Sequence, residues 1–331
     1  MLIYQQPLLC GLLLLLVKYI SDRWAVFFYA LGYCTATAIQ LEVIYTKGEI
    51  MSLGLIEQLT HSTVRIETVL HSGGISTGTG FYMDFLQKED TCIPVIVTNK
   101  HVVENANIGR FHVTLANDEG LPDTGNHQLF HFANFEQECI KHPDQNIDLA
   151  AFPIGPIVNQ VQQSGEKLFY ATLQMDLIPS EEERESYSSM EDIVMIGYPN
   201  GIWDAKNNLP VIRKGITATH ANVSWEGKSE FLTDVASFPG SSGSPVFLVN
   251  IGGYMDNKGN TYRGQHRIRL LGIHYAGAMH TASGEIKIVK APTSNVPLLI
   301  TQIPNNIGVA INSKELVGLE KEVERIISAN A

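Results

Sequence analysis

Three polar side chains in this 331-residue chain stand where apolar sequence surrounds them: His101 in "VTNKHVV", Asp148 in "NIDLAAF" and Ser242 in "PGSSGSPVF". A serine hydroxyl is a poor nucleophile at neutral pH unless a base takes its proton and donors receive the oxyanion. Gly240, two residues before Ser242, lets the backbone turn so that its own amide and that of Ser242 point at one spot. Gly243, after the serine, clears space beside an attacked carbonyl. His101 falls at a strand-to-turn boundary, where an imidazole can serve as the base. Asp148 opens an apolar strand, where a carboxylate is costly unless hydrogen-bonded. A surface turn alone would explain the glycine, serine and proline of the loop. A lone His or Asp is more often structural. All three together, in the order His, Asp, Ser, point to acyl-transfer chemistry.

The elements that must position them are mostly strands. From about Leu53 the chain runs in short β-branched and aromatic segments with turns between them. "TVRIETV" (Thr63–Val69) alternates, "GISTGTGFYMDF" (Gly74–Phe85) is Gly-rich and then aromatic, and "IPVIVTNKHVV" (Ile93–Val103) reads as a buried strand. "DIVMIGYP", "PVIRKGITAT", "SEFLTDVA", "SPVFLVN", "HRIRLLGIHYAG" and "NIGVAINS" follow, with an open hairpin turn at "DNKGN" (Asp256–Asn260). The class is all-β, a sandwich or a pair of barrels. The one clear helix is residues 313–331, with Ser313 as its cap and Leu316, Leu319, Val323 and Ile326–Ile327 at helical spacing. The acidic stretch "PSEEERESYSSMED" (Pro179–Asp192) has the composition of a solvated loop joining two β-domains.

A net charge of −11 and the absence of basic blocks argue against nucleic acid as a partner. Four scattered cysteines without CxxC suit neither a disulfide framework nor a zinc site. His127 and His131 lie four apart, but in strand-like sequence, where that spacing does not converge on a metal. No metal and no cofactor is expected. Residues 1–50 contain two apolar runs, each shorter than an upright membrane span. They read as a signal peptide cleaved after "ATA" (Ala36–Ala38), as a membrane anchor, or as an annotation artefact upstream of a true start at Met51. A start at Met51 implies a cytoplasmic protein; retention of residues 1–50 implies a membrane-associated or exported one.

From about Thr60 to Ser313 the chain resembles the chymotrypsin-like serine peptidases, whose members share the His–Asp–Ser order. It is most similar to bacterial trypsin-like peptidases related to the high-temperature-requirement proteases and glutamyl endopeptidases. "TNKH", "DLAAF" and "PGSSGSPVF" look like the family's three catalytic motifs, and "GYPNG" (Gly197–Gly201) and "GIHYAG" (Gly272–Gly277) also match family positions. The resemblance implies a protease domain over 53–312, made of two six-stranded β-barrels (about 60–160 and 190–312), with the C-terminal helix after it. It implies catalytic roles for His101, Asp148 and Ser242, and an oxyanion hole from the amides of Gly240 and Ser242. Animal digestive members carry an acidic residue just before the nucleophile, paired with a freshly cut N-terminus. Here that residue is Ser241, so activation by N-terminal cleavage is not expected; the enzyme is constitutively competent or gated by loop order.

The substrate implied is a peptide or protein. His274 matches a histidine that in glutamyl endopeptidases contacts a Glu or Gln side chain before the cut, and Ser237 and Gly277 fall beside the same pocket. Ala236 replaces the aspartate of trypsins, which disfavours Lys or Arg there. A buried histidine bonded to backbone is the plainer reading of His274. "GGISTGTG" lacks the ending of a phosphate loop. Trp203 and Arg213 flank a surface loop without an assignable role. The competing function is a catalytically silent relative whose cleft binds peptides or a partner.

Overall fold

The computed structural model describes residues 39–40, 53–88, 91–285 and 298–330. The three readings of residues 1–50 fall, apart from residues 39–40, outside the described residues. No helix among the described residues is long and apolar enough to cross a membrane.

Eight strands form an N-terminal antiparallel sheet: β1 Thr63–Leu70, β2 Ile75–Lys88, β3 Thr91–Thr98, β4 Ala106–Ala116, β5 Pro122–Ala133, β6 Ile140–Lys141, β7 Ala150–Pro153 and β8 Leu168–Phe169. Their order is β5-β4-β1-β2-β3-β7-β6, with β8 paired to β4. Six more build the second unit: β9 Asp192–Gly197, β10 Val211–Thr217, β11 Glu230–Asp234, β12 Pro245–Asn250, β13 Arg267–Glu285 and β14 Leu298–Asn312. These close into a barrel in the order β9-β10-β11-β14-β13-β12, which leaves no free edge. The fold class is as expected, with one difference in detail. Only the second unit closes; in the first, no ladder joins the outer strands β5 and β6 among the described residues.

The apolar runs of β2 and β3 follow from burial on both faces. Successive side chains point to opposite sides of a sheet. Tyr82 and Ile96 enter one core with Val64, Phe111 and Phe152. Phe81, Met83, Phe85, Val95 and Val97 enter a second core with Ile196, Phe247, Leu270 and Ile273 of the barrel. That second core joins the two units, and the helix Leu316–Asn330 seals it with Leu316, Leu319 and Val323. A third core, with Ile193, Met195, Phe231 and Leu271, fills the barrel itself.

Three local expectations need correction. The run Ile93–Val103 is not one strand: β3 stops at Thr98, and Lys100–Val103 form a single helical turn. The C-terminal cap is Asn312, whose side chain accepts the Lys314 amide at 3.1 Å, while the Ser313 hydroxyl is buried against Arg184. The acidic stretch is not simply a solvated loop. Ser180 and Glu183 form a reciprocal capping box that starts a short helix, Glu181–Glu185. Arg184 from that helix is buried, and Glu183 pairs with Arg269 of β13.

Leu319 is fully buried, so Leu319→Ala should cost about 2–5 kcal/mol. Val317→Ala, on the exposed side, should stay within about 0.5 kcal/mol. Urea unfolding distinguishes them; equal effects would mean that the helix does not seal the core.

Candidate active site

The end of β3 brings a histidine to a carboxylate. Asn99 is fully buried, and its Nδ2 donates to the Asp148 carbonyl at 2.7 Å, which fixes the turn after the strand. On the turn that follows, the His101 amide donates to Asp148 Oδ1 at 3.1 Å. The His101 ring meets Oδ2 through Nδ1 at 2.5 Å. Burial alone would raise the Asp148 carboxyl. The ring bond and charge of His101 and the amides of His101 and Lys100 outweigh it and hold the group below the ordinary carboxylate range. An ionised carboxylate only accepts, so Nδ1 carries a proton, and in the neutral ring the lone pair is on Nε2. A neutral ring held this way has the chemistry of a general base.

The serine loop is fixed from both sides. Pro239 O accepts the Asn200 amide at 2.5 Å, and Ser241 O accepts the Ser244 amide at 3.0 Å. In a trans peptide the N–H points opposite to the carbonyl, and no described peptide is cis. The amides of Gly240 and Ser242 are thereby turned the other way, and neither donates to any group among the described residues. Gly240 has φ +87°, and a Cβ there would lie 2.6 Å from Tyr198 O. Gly243 has φ +86°, and a Cβ there would overlap Thr79 O. Gly243 thus admits the first sheet against the loop, a reason the sequence did not announce. Thr79 then clamps the loop. Its amide donates to Ser242 O at 2.8 Å and its hydroxyl to Gly240 O at 2.9 Å.

The serine loop faces one stretch of β13. The half-buried Ser242 donates its hydroxyl to Tyr275 O at 3.3 Å, and Gly243 N–H donates to His274 O at 2.8 Å. The charge of Asp148 is felt at Tyr275 and that of His101 at His274. No hydrogen bond joins Ser242 to His101 in this arrangement.

Ser237, His274 and Gly277 also converge. Ser237 Oγ and His274 Nε2 are 2.7 Å apart, both residues are buried, and a Cβ on Gly277 would sit 2.9 Å from Ser237 Oγ. Burial, then Arg213, then His101 push the His274 ring down to about 3, so it is neutral at pH 7. Its Nδ1 is buried without a partner.

Several contributors escaped sequence reasoning. Thr79 was readable only as part of a Gly-rich strand, although glycines on both sides of a residue are a sign of close backbone approach. Asn200 acts through its backbone, which no residue type announces. Arg213, expected on a surface loop, lies inside the barrel beneath the serine loop. Trp203 packs instead on His112 and His127, whose Nδ1 atoms are 2.8 Å apart. No group of three potential metal ligands forms among the described residues.

A family model described as trypsin-like peptidase domain matches residues 78–252, more than half of the chain. That span contains His101, Asp148 and Ser242. No curated protein matches the sequence. Among solved structures, a serine endoprotease from Yersinia pestis aligns at TM-score 0.43 and 15% identity, over 81% of this chain and 65% of that one. The chain thus spans less than two thirds of that protein's length.

Burial holds the rings of His61 and His112 down to about 4 and that of His274 to about 3, from 6.5. Between pH 6.5 and those values the unfolded chain binds protons that the folded chain refuses, so stability must fall as pH falls. Urea midpoints at pH 7 and pH 4.5 check this. His274→Gln should show a shallower fall; an unchanged slope would contradict a neutral, buried His274.

Proposed function

The chain belongs to the family of trypsin-like peptidase domains, and on that premise we propose that it is a serine endopeptidase acting through His101, Asp148 and Ser242. In this reading Ser242 Oγ attacks the scissile carbonyl while His101 Nε2 takes its proton. The resulting oxyanion is received by the amides of Gly240 and Ser242. Collapse breaks the C–N bond as His101 returns the proton to the leaving amine. Water repeats the sequence on the acyl-enzyme. Asp148 holds the Nδ1–H tautomer and offsets the imidazolium charge.

The observation that carries this reading is the pair of unused amides at Gly240 and Ser242, together with an imidazole whose Nδ1 is held by a carboxylate. The bond from Ser242 to Tyr275 O is long for O–H···O. In this reading Ser242 gives that bond up for one to His101 when substrate arrives, a tightening common in catalytic sites. That same bond is what favours the alternative, a silent peptide-binding relative.

For specificity, the contact between Ser237 and His274 supports a Glu or Gln side chain before the cut. A neutral imidazole and a hydroxyl recognise a carboxylate or an amide oxygen through hydrogen bonds. With Ala236 in the pocket, no acidic side chain there recommends Lys or Arg.

A fluorophosphonate probe should label the full chain at Ser242. Ser242→Ala and His101→Ala should abolish labelling, and Asp148→Asn should slow it about 10³- to 10⁴-fold. A folded protein that takes no label would favour the silent relative. In a peptide library, Glu and Gln should be enriched before the cut; a profile without that enrichment removes the specificity reading and leaves the peptidase standing.

A further inference from the structure

Ser241, the residue before the candidate nucleophile, is fully buried, and a cation reaches it from inside the barrel. Arg213 stands in the middle of β10, in register with Met195 of β9, and is 9% exposed. Its Nη1 donates to Ser241 Oγ at 2.7 Å and to Ala236 O at 2.8 Å. These acceptors sit at the two ends of the turn 236–241. Ser241 Oγ also accepts the Phe238 amide at 3.3 Å, and the Ser241 amide returns to Phe238 O at 3.0 Å. One guanidinium nitrogen thus ties both ends of the segment that presents Gly240.

Among the described residues the cation has no counter-charge. No carboxylate pairs with Arg213 among the described residues, and its Nε and Nη2 are buried without partners. Burial pushes the guanidinium down to about 10, which still leaves it charged at neutral pH. A buried, unpaired charge is costly, and an apolar side chain of similar volume would serve packing as well or better. Arginine here is therefore unexplained by stability. The donor it supplies, aimed at residue 241, explains it.

We propose that Arg213 is the positioning residue of the oxyanion loop, fixing the turn 236–241 through Ala236 O and Ser241 Oγ so that the amides of Gly240 and Ser242 stay turned toward the reacting carbonyl. The proposal rests on the serine-peptidase reading. Arg213 makes no hydrogen bond to Ser242; it acts through Ser241 and Ala236. The device is internal to the barrel, so competence of the loop requires no chain terminus.

The test compares the full-length protein with Arg213→Met, Arg213→Lys and Ser241→Ala. The readouts are fluorophosphonate labelling rate, kcat and KM on the best library peptide, and Tm. Arg213→Met should slow labelling and lower kcat by about 10²- to 10³-fold, the scale of losing an oxyanion donor. KM should move less than about threefold, and Tm should hold or rise because a buried charge has been removed at similar volume. Arg213→Lys, which keeps a donor, should recover at least about tenfold of the loss. Ser241→Ala keeps the cation and removes its acceptor, and should also slow labelling; it carries the test if Arg213→Met does not fold. Labelling at the wild-type rate in Arg213→Met or in Ser241→Ala overturns the proposal and leaves the peptidase reading intact. So does an activity loss that tracks a fall in Tm and is not recovered by lysine. A wild-type protein that takes no label overturns both.

Discussion

Thr79 holds the two β-units together at the point where chemistry needs them. Its amide and hydroxyl take the carbonyls of Ser242 and Gly240, and its own carbonyl accepts the Thr98 hydroxyl at 2.7 Å. The histidine comes from one unit and the serine from the other, so their separation depends on this seam. The seam is intolerant. A side chain at Gly243 would collide with Thr79 O, and one at Gly197 would meet the hydroxyls of Ser244 and Thr79. Behind it, the shared apolar core of β2, β3, the barrel and the C-terminal helix keeps the units from sliding. Close packing makes such a junction stiff, which is what aligning groups from two units demands.

Around that seam the polar groups are sorted by charge. Asp148 is kept ionised by the groups that grip it, whereas His274 is kept neutral by burial. Arg213 remains a cation to which no carboxylate is paired among the described residues. Three environments therefore give an ionised carboxylate bonded to an imidazole, a second imidazole that can hydrogen-bond without charge, and a fixed positive centre beneath the loop. On the proposed reading these are the orienter, the pocket wall and the loop anchor of a peptidase.

Much of this was legible in the sequence because the chemistry demands unusual local residues. A serine in a Gly-Ser-Ser-Gly loop, a carboxylate opening an apolar strand and a histidine closing one each have a structural explanation, but together and in that order they stand out. The strand pattern revealed the all-β class for the same reason: burial on one or two faces writes itself as alternation or as continuous runs. What stayed hidden depends on contacts distant in sequence. Arg213 and Ser241 are 28 residues apart, and nothing local distinguishes a buried arginine in "PVIRKGIT" from a solvated one. Thr79 acts on residues more than 160 positions away. Other misses were local but small. The cap fell on Asn312, not Ser313, and the capping box at Ser180 and Glu183 was outweighed by the charge around it.

The most direct test of the account is a crystal structure of the protein carrying a covalent fluorophosphonate adduct. The account predicts the phosphorus on Ser242 Oγ, with one phosphonyl oxygen about 3 Å from the amides of both Gly240 and Ser242. His101 should lie on the opposite side, still held by Asp148. An adduct on another residue, or an oxygen turned away from those two amides, would contradict it.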